Sequence, residues 1–65
     1  MLKLNLMLRC RGFMKVRENK WQRGDTIVTR QRGAKGVIYV CIAAPCMTRV
    51  YLTTDPLVKE AIKKL

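Results

Sequence analysis

The sequence contains no histidine and only four acidic residues, and these shortages exclude most catalytic chemistry. A general base would have to be Glu18, Asp25, Asp55 or Glu60, and none of them is spaced with a cysteine or lysine as a nucleophile and its base require. The glycine-containing stretch "RGAKG" lacks the spacing of a phosphate-binding loop and joins two predicted strands, so it is interpreted as a hairpin turn. We therefore expect no enzymatic activity and no small-molecule substrate.

The three cysteines, Cys10, Cys41 and Cys46, include no C-x-x-C pair. An odd number of cysteines is a poor disulfide framework, and three thiols without a histidine make a poor zinc site. We expect free thiols, no metal and no cofactor. A chain of 65 residues without disulfides or a structural metal is at the limit of independent stability, so we expect its stability to depend on a bound partner.

Long hydrophobic runs are also missing. The longest one in the middle of the chain, "GVIYVCIAAPCM", is interrupted by Pro45 and is far shorter than a membrane span, so we expect no transmembrane segment. The apolar start "MLKLNLML" could nevertheless lie at a lipid surface. A small cationic subunit of a membrane-associated assembly is therefore kept as the alternative function.

Positive charge is what the sequence has in excess. Fourteen lysines and arginines against four acids give a formal net charge of +10, and most of the cations lie in residues 1–35. So much like charge favours a polyanionic partner whose phosphates neutralise it. We predict an RNA-binding set made up of nine basic residues and the tryptophan of this half, together with Arg49 of the third predicted strand: Arg9, Arg11, Lys15, Arg17, Lys20, Trp21, Arg23, Arg30, Arg32, Lys35 and Arg49.

Trp21 has two interpretations that the sequence leaves open. It could anchor the N-terminal part of the chain onto the domain, or its ring could stack on a base or fill a partner's groove.

The pattern of apolar residues predicts a small, mainly-β fold in residues 26–65. Alternation in residues 26–32, a glycine turn at 33–36 and an apolar run at 37–43 predict a hairpin, and alternation resumes in residues 48–54. Together they predict a three-stranded antiparallel meander with a covered central strand. Asp55 and Pro56 then predict the start of a short C-terminal helix. For residues 1–25 the mixed polarity favours a basic, extended N-terminal extension, although the first eight residues fit strand, helix or ribbon equally.

Two short motifs carry a resemblance. The turn "GAKG" at Gly33–Gly36, followed after about twenty residues by "TDPLVK" at Thr54–Lys59, resembles the ribosomal protein thirty-three family of the large subunit in bacteria and organelles. The resemblance covers about residues 26–65 and implies a metal-free member with a zinc-ribbon-like sheet. Three features depart from the family pattern: Thr54 replaces an aromatic residue, the loop "AAPCM" is apolar instead of basic, and residues 1–25 form an extension.

The resemblance implies a structural constituent of a bacterial-type large ribosomal subunit that binds and stabilises rRNA beside neighbouring ribosomal proteins. The acid-poor start of the chain is typical of mitochondrial sequences, so we expect the protein on ribosomes of the mitochondrial matrix, or alternatively in a bacterial cytoplasm or another organelle.

Overall fold

Five antiparallel strands, hydrogen-bonded in sequence order, form one open sheet in the computed structural model, which describes residues 4–65. A short helix precedes the sheet, a single 3₁₀ turn joins the third and fourth strands, and a second short helix follows the sheet. The elements are α1 (Leu4–Cys10), β1 (Met14–Arg17), β2 (Lys20–Arg23), β3 (Thr26–Arg32), the 3₁₀ turn (Ala34–Gly36), β4 (Ile38–Ala44), β5 (Met47–Leu52) and α2 (Leu57–Lys63).

The small, mainly-β class predicted for residues 26–65 is confirmed. β3, β4 and β5 form a meander in which the apolar β4 is the central strand, paired with β3 from Ile27↔Ala43 to Arg32↔Ile38. On its other side β4 pairs with β5 from Tyr39↔Leu52 to Ala44↔Met47. The short C-terminal helix is also present.

The predicted number of strands is wrong, and so is the extended arm for residues 14–23. These residues form β1 and β2, and β2 pairs with β3 over its whole length, from Lys20↔Thr29 to Arg23↔Thr26. The hairpin between them turns at Asn19, which adopts a left-handed conformation with φ of 62°. Asparagine tolerates this region better than most residues, so the sequence contained a turn signal here. Residues 1–3 of the predicted arm lie outside the described residues.

Both helices pack on one face of the sheet, and the core lies between the helices and this face. Trp21 is directly opposite Val28, which is directly opposite Ile42, so these side chains share a face because side chains alternate along each strand. Leu4 and Leu8 of α1 pack on this face together with two residues of α2. The buried apolar core comprises Leu4, Leu8, Phe13, Trp21, Val28, Val40, Ile42, Val58 and Ile62. We call this face of the sheet the covered face.

The start of α2 follows from the Asp-Pro pair. The Asp55 carboxylate accepts a hydrogen bond from the backbone N–H of Leu57 at 2.9 Å, which satisfies one of the free donors at the helix start. Val58 and Ile62, four residues apart, then enter the core, whereas Leu57 remains exposed.

Within residues 4–65, no helix packs on the opposite face of β3, β4 and β5. Its side chains alternate with those of the covered face and are half-buried or exposed. We call it the open face and define it by nine residues: Ile27, Thr29, Gln31, Tyr39, Cys41, Ala43, Thr48, Val50 and Leu52.

Candidate nucleic-acid interface

The meander brings several basic residues to one end of the sheet. In an up-and-down sheet every second connection lies at the same end, so the β1–β2 turn, the β3–β4 turn and the segment after β5 lie together. We call this the basic end and define it by five cations at or next to these turns: Arg17, Lys20, Arg30, Arg32 and Lys35.

Arg30 is the most firmly positioned of these cations. Its Nε and Nη2 donate hydrogen bonds of 3.0 and 2.8 Å to the same oxygen, Oδ1 of Asn19. Its backbone N–H also donates to the Asn19 carbonyl at 2.9 Å. Because the acceptor is a neutral amide instead of a carboxylate, the guanidinium is held in place without its charge being neutralised.

A groove of about 650 Å³ begins beside Arg30. It is lined by residues of the sheet and of the first turn of α2, with Arg30 and Lys59 as its cations. Thr53 and Thr54 lie along it, and Asp55, the one acid in its lining, accepts the Leu57 N–H at the start of α2. The groove thus combines two cations with neutral polar groups, as a phosphate-binding surface does.

The β3–β4 turn carries Lys35 at its tip and is tightly built. Lys35 and Gly36 both have positive φ, 59° and 75°. Gly36 adopts this left-handed conformation at no steric cost because it has no Cβ atom. Gly33 is needed for a different reason: a Cβ atom here would lie 2.4 Å from Cε2 of Tyr39. The aromatic ring therefore packs directly on the backbone of the turn.

The other predicted RNA-binding residues do not join the basic end. Lys15 forms an exposed ion pair of 3.5 Å with Glu18. Arg9 and Arg11 are exposed around the end of α1, and Arg49 lines a second groove with Glu60 and Lys64.

Arg23 has a structural explanation. Its guanidinium lies 4.8 Å from the ring centroid of Phe13 and donates to the carbonyl of Arg11 at 2.7 Å and to that of Leu65. These contacts tie the start of β1 to the end of the chain. We therefore leave Arg23 out of the candidate interface.

Trp21 is a core residue, which is the first of its two interpretations. Its side chain is 2% exposed, and its indole N–H donates to Oδ1 of Asn5 at 2.9 Å. A ring enclosed in this way offers no free face to a base, so we leave Trp21 out of the candidate interface. The packing of Trp21 between α1 and the sheet was not foreseeable from its basic neighbours in the sequence.

Few of the cations are neutralised by acids. Among residues 4–65 the structure shows two ion pairs, Lys15–Glu18 at 3.5 Å and Lys63–Glu60 at 3.9 Å, and all four side chains are exposed. Exposed pairs of this kind contribute little to stability and exchange readily for other partners. Most of the positive charge is therefore available to an external polyanion.

Two further features bear on other kinds of site. In the part of the chain that the structure describes, no three histidine, cysteine or acidic side chains come together as metal ligands would, and the three cysteines are free thiols. Within the same residues no helix has the length and apolar character needed to cross a membrane. In α1 the apolar residues Leu4 and Leu8 are buried in the core, which leaves Leu6 as its exposed leucine.

Comparison of the chain with models of protein families, with curated proteins and with solved structures found no match.

Proposed function

We propose that this protein binds RNA through the basic end of its sheet, with backbone phosphates as the main contact. The observation that carries the proposal is the arginine held by a neutral amide: Arg30 is oriented by Asn19 and keeps its full charge. Four more cations lie at the same end: Arg32 is on the same face as Arg30, Lys35 is in the turn, and Arg17 and Lys20 are on the other face. The two acids nearby, Glu18 and Asp55, are engaged with Lys15 and with the start of α2.

Phosphate fits this surface better than a neutral or a cationic ligand. A guanidinium presents a planar set of donors that matches two oxygens of a phosphate, and an oriented guanidinium loses less conformational freedom on binding. The adjoining groove adds Lys59 and two threonine hydroxyls. Contacts of this type position a nucleic acid without reading its bases, so the binding is expected to depend on RNA shape more than on sequence.

The narrower form of the proposal is a structural role in the bacterial-type large ribosomal subunit of mitochondria, with rRNA and neighbouring ribosomal proteins as partners. It is supported by the resemblance of "GAKG" and "TDPLVK" to the ribosomal protein thirty-three family. Both motifs lie at the basic end, one in the β3–β4 turn and the other after β5. The two additional strands β1 and β2 distinguish this chain from the three-stranded form that the resemblance implied.

The RNA-binding proposal is tested by measuring RNA affinity against salt concentration for two variants that lose equal charge. One carries Arg17→Gln, Arg32→Gln and Lys35→Gln at the basic end. The matched control carries Arg9→Gln, Arg49→Gln and Lys64→Gln, all exposed and all away from that end. Loss of three phosphate contacts should weaken binding about a hundredfold at ~0.1 M salt and reduce the log-log salt slope by roughly 2.

The control should change affinity and slope much less. Equal slopes for the two variants would show that only the net charge matters and would refute the assignment to the basic end. The ribosomal role has its own test. When an extract of cells that express the tagged protein is centrifuged, the protein should sediment with a large RNA-containing particle. Sedimentation as a small free protein would reject the ribosomal role without contradicting RNA binding.

A further inference from the structure

The open face of the sheet is uncharged in a protein with a net charge of +10. Its nine residues form a regular grid of three rows across β3, β4 and β5: Ile27–Ala43–Thr48, Thr29–Cys41–Val50 and Gln31–Tyr39–Leu52. Val50 is 61% exposed and Leu52 42% exposed. On the same three strands the cations Arg30, Arg32 and Arg49 all alternate onto the other face. On the neighbouring strands, Lys20 lies opposite Thr29 and Arg17 opposite Lys20, so these two cations border the nine residues on the same side of the sheet.

We propose that the open face is a self-association surface, on which a second copy of this chain packs sheet against sheet about a two-fold axis. The proposal is independent of RNA binding, because it uses none of the cations of the basic end.

The charge distribution favours a second copy of this chain as the partner of the open face. An RNA or an acidic protein would be attracted to the cationic surfaces, and the open face offers neither of them a positive side chain. A second copy is itself strongly cationic, so it approaches most favourably through a surface whose centre is uncharged, with Arg17 and Lys20 left at the margin. The open face meets that condition on both partners at once, as the self-complementary patch of a two-fold contact must.

The orientation of the two copies also lowers their repulsion. With the open faces together, the arginines of β3 and β5 and the lysines of α2 point away from the contact on both copies, and Arg17 and Lys20 lie at its margin. Two packed sheets lie about 10 Å apart, so the cationic sides are separated by more than the Debye length at physiological salt.

The size of the face sets the strength of the contact. Three strands spaced about 4.8 Å apart and about seven residues long give a footprint of roughly 350 Å² on each copy. Together this is below the ~1,200 Å² typical of stable complexes, so the dimer is weak and depends on protein concentration. Because added salt screens the repulsion between cationic chains, dimerisation should strengthen as salt rises. RNA binding has the opposite salt dependence.

The test is sedimentation equilibrium of the full chain at several concentrations and salt levels, with two variants of equal added charge. Val50→Lys places a cation on the open face; Leu57→Lys places one on α2, at a residue with nearly the same exposure, 60% against 61%. We expect the unmodified chain and Leu57→Lys to dimerise increasingly with salt, and Val50→Lys to dimerise at least tenfold less. Far-ultraviolet circular dichroism checks that both variants keep their fold.

A monomeric unmodified chain at every salt level, or equal loss in both variants, would overturn the proposal. So would a Val50→Lys chain that dimerises normally but loses RNA affinity, since the open face would then be an RNA surface.

Cross-linking gives a second readout that needs no substitution on the open face. Cys41 occupies the middle row of the middle strand, so it is the residue closest to a two-fold axis through the grid. At a sheet separation of about 10 Å its thiol is too far from its symmetry mate for an unstrained disulfide but within reach of a short bismaleimide. With Cys10→Ser and Cys46→Ser removing the other thiols, such a reagent should yield a covalent dimer, and a product that stays monomeric at high salt would contradict the geometry.

Discussion

The two faces of β3, β4 and β5 have the same backbone but opposite chemical character. The covered face combines the buried residues Val28, Val40 and Ile42 with arginines nearer the margins of the sheet. The open face carries threonine, glutamine, small apolar residues and one tyrosine, with no charge on its nine positions. Side-chain alternation with a period of two is sufficient to separate these two sets.

The contrast between the covered face and the open face shows how a small basic chain can combine a core with two surfaces that differ in function. On the covered face, Arg30 and Arg49 each line a groove together with residues of α2, and both side chains are exposed. The nine positions of the open face carry none of that charge, and Arg17 and Lys20 border them on the same side of the sheet. Along β3, β4 and β5, the residues of one face therefore form the core and part of the proposed polyanion-binding surface. The residues that alternate with them form the face proposed for self-association.

The largest expected effect tests whether only the covered face stabilises the fold. Val28→Ala and Val50→Ala remove the same atoms from one face and from the other, at 0% and 61% exposure. Val28→Ala should lower the free energy of unfolding by about 2–3 kcal/mol, through lost burial and a cavity beside Ile42. Val50→Ala should change it by less than about 0.5 kcal/mol. Urea unfolding at ~0.5 M salt, where the repulsion between cations is screened, gives both values.

Low protein concentration keeps self-association out of that measurement. A Val50→Ala loss as large as that of Val28→Ala would mean that the open face is buried within the folded chain, and the comparison between the faces would fail.

The same alternation explains how much of the fold the sequence predicted. β3, β4 and β5 have six or seven residues each, rich in β-branched residues and separated by glycine or proline, so their local signals agree with their final positions. β1 and β2 have four residues each: "MKVR" alternates, but only over two apolar residues, and "KWQR" has Trp21 as its one apolar residue. Their strands are specified by pairing with β3 and by the burial of Trp21, which are long-range effects.

The candidate site was predictable in part for the same reason. The charges of Arg30, Arg32 and Lys35 were evident from their places around the hairpin. The positioning of Arg30 was not, because it depends on a residue of the β1–β2 turn eleven positions earlier. Trp21 and Arg23 could likewise be excluded from the predicted RNA-binding residues only once their contacts with distant parts of the chain were known.

A smaller effect tests whether the Asn19 amide positions Arg30 for binding. Asn19→Gly removes the amide while retaining a residue that readily adopts φ of 62°, so the turn itself is not strained. Freeing the arginine side chain should cost about 0.5–1.5 kcal/mol on binding, or roughly 2- to 12-fold in RNA affinity. Because no charge is lost, the slope of affinity against salt should stay unchanged.

Arg30→Gln provides the control, since it removes the charge and should reduce that slope. If Asn19→Gly lowers the slope by the same amount as Arg30→Gln, or leaves affinity untouched, then orientation of Arg30 by the amide has no part in RNA binding.

The smallest expected effect concerns Asp55, which both starts the covering helix α2 and places a negative charge beside the cationic groove. Asp55→Ala loses the hydrogen bond to the Leu57 N–H and should destabilise the fold by about 1 kcal/mol, whereas Asp55→Asn retains an acceptor at the helix start and should cost only a few tenths. Both substitutions remove the same charge, so both should raise RNA affinity by a similar, less than tenfold, factor. Urea unfolding and RNA titration of the two variants separate these roles. If RNA affinity instead followed stability, rising for Asp55→Asn and falling for Asp55→Ala, then the groove would need an intact α2 more than it needs the removal of negative charge, and the covering helix would itself belong to the RNA-binding surface.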